Sequence, residues 1–233
     1  LVPPWAGKAA SAQESRSGAL RRTADRKPDF TGIWQAMNTA DWNIQDHIGE
    51  KGVPAGRGIV DGNEIPYRAD ALIKRQENFK NRETADPNSK CYLPGVPRIM
   101  YMPYPFQIAQ GPKQISMLFE YVHAVRNIFM QGSHFTGHVD LWLGDSRGHW
   151  DGDTLVVDVV DFSDTTWFDR SGNFHSDQLH VVERYTPMGP DHIEYGATIE
   201  DPQVFTRPWK MSMILYRHME PKAELLEYEC FAY

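Results

Sequence analysis

From about residue 106 onward, apolar and polar side chains alternate in short runs, and turn residues break the alternation at close intervals. A period of two is the mark of a half-buried strand. Runs at 106–110 and 114–121 flank Gly111-Pro112-Lys113, and 124–130 ends at Gln131-Gly132. The stretch 150–162 holds the turn Asp151-Gly152-Asp153 before Leu155-Val156-Val157. Runs at 179–186 and 192–200 flank a Pro/Gly-rich turn, and 209–218 and 225–231 surround Glu220-Pro221-Lys222. With the run that follows Pro28-Asp29, this predicts a mainly β chain of about eight to ten strands. Consecutive hairpins favour a closed antiparallel meander barrel, because closure removes exposed edges and a single helix is too little to cover an open sheet.

That single helix is expected at about 67–81, opened by Pro66, with Leu72, Ile73, Gln76 and Phe79 inward and Lys74, Arg75, Glu77 and Lys80 outward. Residues 39–65 are rich in glycine and read as a long excursion without a strand. Residues 1–28 read as a flexible arm, and 29–233 as one barrel domain.

Alternation also assigns the interior. Ile193, Tyr195, Ala197 and Ile199 share one face, and Leu179, Val181 and Tyr185 carry Glu183 with them. Trp209, Met211, Met213 and Leu215 share another face. Ile115, Met117, Phe119 and Tyr121 share a fourth, which continued alternation extends to His123. The expected interior is aromatic and methionine-rich, with one carboxylate and one imidazole. In such surroundings a carboxyl pKa rises, and an adjacent imidazole would complete a proton donor and acceptor for general acid–base chemistry. The structural alternative pairs Glu183 with Arg126 or Arg217 and leaves His123 in a bend. Residues 164–183 gather Trp167, Asp169, His175 and Asp177 in a loop expected at the barrel rim, either binding there or packed with Asp177 capping His175.

Composition narrows the function classes. A net charge of −7 with no basic stripe argues against nucleic acid as a partner. No apolar run reaches the roughly 18–20 residues that cross a bilayer, so a membrane span is not expected. Nine histidines call for a metal test: His134 and His138 stand four apart in a predicted loop and could supply two ligands, with Asp140 nearby. Gly144-Asp145-Ser146-Arg147-Gly148 approaches a nucleophile elbow, but a turn and strand follow it where a helix is required. No GxGxxG or phosphate loop occurs, and no cofactor is expected. Ala10-Ser11-Ala12 has the small-x-small form of a signal-peptidase site. The two cysteines, Cys91 and Cys230, read either as a bridge closing a large loop or as two buried thiols.

The opening Gly32-Ile33-Trp34 resembles the G-x-W start of lipocalin-like barrels. Cys91-Tyr-Leu-Pro-Gly-Val-Pro-Arg98, Trp150-Asp-Gly-Asp-Thr-Leu-Val-Val-Asp158, His175-Ser-Asp-Gln-Leu-His-Val-Val-Glu-Arg-Tyr185 and Asp201-Pro-Gln-Val-Phe-Thr-Arg-Pro-Trp209 resemble a group of exported, mostly uncharacterised bacterial proteins over about residues 28–230. The resemblance implies a Cys91–Cys230 disulfide and a periplasmic or secreted location. Where that group often shows Asp-Gly-Arg-x-His-Pro, this chain reads Gln131-Gly-Ser-His-Phe-Thr136, although His134 remains.

The expected function is a cofactor-independent lyase, isomerase or cyclase acting on a small apolar or aromatic molecule. Glu183 and His123 would move protons, and His175 and Asp169 would act from the rim. Tyr121, Tyr195, Trp209, Met211, Trp167 and Phe119 would shape the cavity. The rivals are a non-catalytic periplasmic small-molecule-binding barrel and a metal-dependent enzyme using His134, His138 and His175.

Overall fold

Alternating burial along each run becomes, in three dimensions, the inner wall of a barrel. The computed structural model describes residues 18–50, 52–137 and 139–231. Its elements are β1 (Gly32–Ala36), α1 (Ala69–Lys80), α2 (Arg82–Ala85), β2 (Phe106–Gln110), β3 (Gln114–Phe119) and β4 (Val125–Phe129), followed by β5 (Asp145–Asp151), β6 (Thr154–Val160), β7 (His180–Pro187), β8 (His192–Glu200) and β9 (Trp209–Arg217). The nine strands form one closed barrel in sequence order.

One pair corrects the all-antiparallel meander. A closed ring with an odd number of strands cannot alternate direction all the way round, so at least one neighbouring pair must run parallel. β1 and β9 close antiparallel, and the parallel pair falls on β4 and β5, with Ile128 opposite Ser146 and Phe129 opposite Arg147. Parallel neighbours need a long crossover, which residues 130–144 provide.

The inward faces are those that alternation assigns. Val181, Glu183 and Tyr185 of β7 and Ile193, Tyr195, Ala197 and Ile199 of β8 are all buried. Trp209, Met211, Met213 and Leu215 do the same on β9. Outward positions carry Gln107, Ser116, Asn127, Arg184, Glu194 and Lys210, the inverse of a membrane barrel's lipid-facing band. No described helix is long and apolar enough to cross a membrane.

At the closing β1–β9 pair, the Arg217 side chain packs over β1. Its guanidinium carbon lies 4.2 Å from the Trp34 ring centroid, and Nη1 donates to the Thr31 carbonyl. Gly32 sits at φ +144°, and a Cβ there would overlap Arg217 Nη1. Trp34 Nε1 donates to the Phe30 carbonyl at 2.8 Å.

Three further expectations are revised. α1 turns a different face inward: Ala71 and Asn78 are buried, whereas Leu72 and Ile73 are 42% and 69% exposed. Asn78 reaches the Gly172 carbonyl at 3.3 Å, so a close backbone approach decides the face and outweighs apolar burial. Residues 225–231 form no strand; Tyr228 makes one isolated bridge to Tyr121, and the tail lies along the barrel as a strap. Residues 18–28, expected within a flexible arm, include a turn in which Arg22 makes a bidentate contact with Asp153; residues 1–17 lie outside the described residues. Cys91 and Cys230 form a disulfide that pins the strap to the turn after α2.

Gly32→Ala is expected to lower stability by about 2 kcal/mol or more, because both the positive φ and Arg217 oppose a Cβ. Urea denaturation checks this; an unchanged midpoint would remove Arg217 from the closure argument.

Candidate functional site

The barrel centre is built around charge. Glu183, 0% exposed, makes an ion pair with Arg126 of β4. Its Oε1 accepts from Arg126 Nη1 at 3.0 Å, the Tyr185 hydroxyl at 3.0 Å and the Tyr195 hydroxyl at 2.9 Å; its Oε2 accepts from Arg126 Nη2. Arg126 Nε and Nη2 also donate to Ser146 Oγ. Burial, and then the carboxylate charge, hold both tyrosines well above their usual pKa, so they remain neutral donors. Zero accessible surface means that no water-sized space touches the Glu183 carboxylate. Glu183 therefore faces inward as alternation predicts, but with the arginine of the structural alternative as its partner. Ser146, the residue at the imperfect elbow, is part of that network.

The other expected residues are dispersed. His123 does not reach the interior: strand geometry ends at Phe119, Val122 and His123 adopt positive φ, and the imidazole is exposed with Nε2 3.2 Å from Glu229. Tyr121 leaves the interior for the same reason and is buried against Tyr104 and Tyr228 on the flank. Phe119 packs on Phe106 at 5.1 Å between centroids. Trp209 packs edge-on against Phe168 and Phe205, and its buried Nε1 has no hydrogen-bond partner among the described residues. Met211 is buried beside it, and Trp167 is bridged to Phe174 in the loop.

Asp169 and His175 are buried posts of that loop, not open rim groups. Asp169 accepts from the backbone N–H groups of Ile44, Ser171 and Asn173 and from Asn173 Nδ2. Burial lifts its pKa to about 6 against the pull of those donors. His175 Nδ1 donates to the Ser176 carbonyl at 2.8 Å, so its Nε2 accepts from the Thr166 hydroxyl at 2.7 Å. Asp177 is not its cap.

His134 Nδ1 bonds Asp145 Oδ2 at 2.7 Å, and its partner in the metal expectation, His138, lies outside the described residues. Among the described residues no three His, Cys, Asp or Glu side chains are arranged to hold a metal ion.

Two cavities lie on the barrel flank, on either side of a shared wall made by Trp42 and Arg170. The larger, about 500 Å³, is bounded by the excursion (Trp42, His47, Ile48, Glu50 and Val53), by the helices (Arg75, Phe79, Arg82 and Glu83) and by Arg170. Three guanidiniums lie over two rings: Arg170 is 4.2 Å from the Trp42 centroid, and Arg82 and Arg75 are 4.0 and 5.3 Å from that of Phe79. Stacking holds a guanidinium by its face and leaves its in-plane N–H fork available. Arg82 uses one N–H on the Phe79 carbonyl and stands 3.5 Å from Glu50; Arg75 Nε reaches Asn173 at 3.4 Å. Arg170 makes one long ion-pair contact, 3.9 Å to Asp86.

The sequence reading missed this cavity. Helical periodicity puts Arg75 on the solvent face of the helix, Arg82 lies beyond its end, and Trp42 sits in a glycine-rich stretch without periodicity. A usable signal was present: Arg75, Phe79 and Arg82 recur at intervals of four and three, which places them side by side on a helical surface.

Fold and site together define a nine-stranded, mostly antiparallel barrel with a filled centre and a cationic, aromatic cavity on its flank. The chain matches no family model, no curated protein and no solved structure.

Two outcomes are expected of the buried groups. Arg126→Met leaves Glu183 unpaired and should cost about 3–5 kcal/mol; adding Glu183→Leu should recover part of that loss. Strictly additive losses in urea denaturation would contradict the coupling. Burial holds the His175 pKa below 6.5, so the unfolded chain takes up the proton first as pH falls. This contribution is complete above 6.5 and declines as the pH drops below it. The urea midpoint of wild type should therefore approach that of His175→Gln between about pH 7.5 and about pH 5.5. A constant difference between the two proteins would refute the assignment.

Proposed function

We propose that this protein binds a small molecule on the flank of its barrel and does not transform it in the interior. The ligand class is a compact aromatic or apolar molecule carrying an anionic group such as a carboxylate or sulfonate. One observation carries the reading: three guanidiniums, Arg75, Arg82 and Arg170, each within cation–π range of a ring, surround a single cavity of about 500 Å³. Trp42, Phe79, Ile48 and Val53 offer apolar contact, and the guanidinium forks suit a planar anion. Glu50 and Glu83 on the same wall offset two of the three charges, which favours a singly charged ligand.

Acid–base catalysis at Glu183 has less support. Both of its oxygens are engaged and no imidazole stands beside it. The disulfide supports an oxidising compartment, and the resemblance to exported proteins supports a periplasmic or secreted location.

The test compares two fluorescent probes of one shape, anilinonaphthalene sulfonate and its neutral parent phenylnaphthylamine. The sulfonate should bind more tightly, and Arg170→Gln should weaken it about tenfold, or about 1.4 kcal/mol, while leaving the amine unchanged. Equal affinity for both probes, or a sulfonate indifferent to Arg170, would defeat the reading.

A further inference from the structure

Three hydrogen bonds lace the wall of the larger cavity to the loop that carries Arg170. Arg170 N–H donates to the Asp41 carbonyl at 2.9 Å, the Ser171 hydroxyl to the Trp42 carbonyl at 3.0 Å, and Ile44 N–H to Asp169 Oδ2 at 2.9 Å. Beyond this lacing the excursion runs out to His47, Ile48, Glu50 and Val53, which border the cavity. It returns to the Ile44 carbonyl, which accepts from Ile59 and Val60 N–H at 2.8 and 3.3 Å. Ile44 is therefore the base from which both limbs of that wall extend. Of the three bonds, only the one at Ile44 ends on a titratable group.

Asp169 is fully buried, and among the described residues all four of its hydrogen bonds come from donors. Ser171 and Asn173 N–H reach Oδ1, while Ile44 N–H and Asn173 Nδ2 reach Oδ2. Three of these belong to its own loop; Ile44 alone crosses from the excursion. An ionised carboxylate accepts such bonds more strongly than a neutral carboxyl, which also gives up an acceptor position to its own O–H. Charged and titratable groups face Asp169 from each neighbouring element. Arg98 and Tyr101 come from the turn at 98–101, Tyr67 from the approach to α1 and Arg75 from α1, the last two through Asn173 Oδ1. Burial is the largest influence and lifts the carboxyl to about 6, against the pull of its donors and of Arg98. Asp41 and Asp86 already share the Arg98 charge. We propose that Asp169 is a proton-operated clamp on the larger cavity: the ionised carboxylate holds Ile44, and with it the 41–60 wall, whereas the neutral carboxyl lets that wall loosen and the anionic ligand leave. The clamp rests on the flank-site reading above and adds its regulation. Its sign is distinctive. On acidification the lining groups His47, Glu50 and Glu83 gain positive or lose negative charge, which by charge alone would strengthen the hold on an anion. The clamp acts the other way.

Titration of the full chain with anilinonaphthalene sulfonate at about pH 7.5 and about pH 5 tests this. One unit below the carboxyl's pKa about a tenth of the molecules keep the clamp ionised, so sulfonate affinity should fall about tenfold. Asp169→Asn keeps the shape and removes the charge. At the higher pH it should bind the sulfonate as weakly as wild type does at the lower, with no further loss on acidification. Amide hydrogen exchange of the ligand-free wild type supplies a reading that needs neither a variant nor a ligand. With each rate divided by that of the unfolded chain at the same pH, protection at 41–60 should fall severalfold at the lower pH while that of β8 holds. Sulfonate affinity that holds or rises on acidification would overturn the proposal, and so would unchanged protection at 41–60. A sulfonate indifferent to Arg170→Gln at the higher pH would instead defeat the flank-site reading, and exchange at 41–60 then decides the clamp by itself.

Discussion

The ion pair between Arg126 and Glu183 sets the terms for the rest of the molecule. Two charges at the centre of a barrel survive only if nearly every lone pair and N–H near them is matched, because burial cost would otherwise exceed their attraction. Here two tyrosine hydroxyls and Ser146 complete the set. Those groups come from β4, β5, β7 and β8, so the network reaches across the interior and spans the parallel seam, with Arg126 on one strand and Ser146 on the other. β4 and β5 share only two register pairs, and the buried guanidinium supplies cohesion that this short ladder lacks. A centre filled in this way leaves no room at Glu183 for a guest. The two cavities lie outside that wall, among the loops and helices.

The layer around them is held by a second buried carboxylate. Asp169 draws in the backbone of Ile44 from the excursion and of Ser171 and Asn173 from its own loop. The Tyr101 hydroxyl fixes the Phe168 carbonyl one residue earlier, at 2.7 Å. Arg170 follows directly in sequence, and its own N–H donates to the Asp41 carbonyl. A fully buried anchor and a half-exposed guanidinium thus stand side by side in the chain. The staple that organises the loop also places the cation on the wall between the two cavities.

The fold was legible where a physical period operates. Alternation in 192–200 and 209–217 assigned inside and outside correctly, since a one-residue slip would turn every apolar side chain to water. It failed where the period was carried past the strand: Tyr121 and His123 were extrapolated beyond Phe119 into residues that bend at positive φ. The parallel seam was hidden because it follows from the parity of the strand count, which a range of eight to ten left open. The helix face was misread because Asn78 packs against the backbone of Gly172, a contact between segments far apart in sequence. Hydrophobic periodicity contains no term for that.

The site was harder to read than the fold for a related reason. Periodicity marks residues that water rejects, whereas the larger cavity is bordered largely by charged residues that water accepts. Arg75, Arg82 and Arg170 have the sequence appearance of ordinary surface cations; what distinguishes them is the ring beneath each, and two of those rings are one shared phenylalanine. Glu183 shows the converse. Its lone charge among apolar neighbours is the usual sign of a tuned acid, yet the same sign is given by a carboxylate whose arginine lies on another strand. Only the partner separates the two, and Arg126 is 57 positions away in the chain. A buried charge in a strand therefore identifies an interior in which a counter-ion is required. Here Arg126 supplies it.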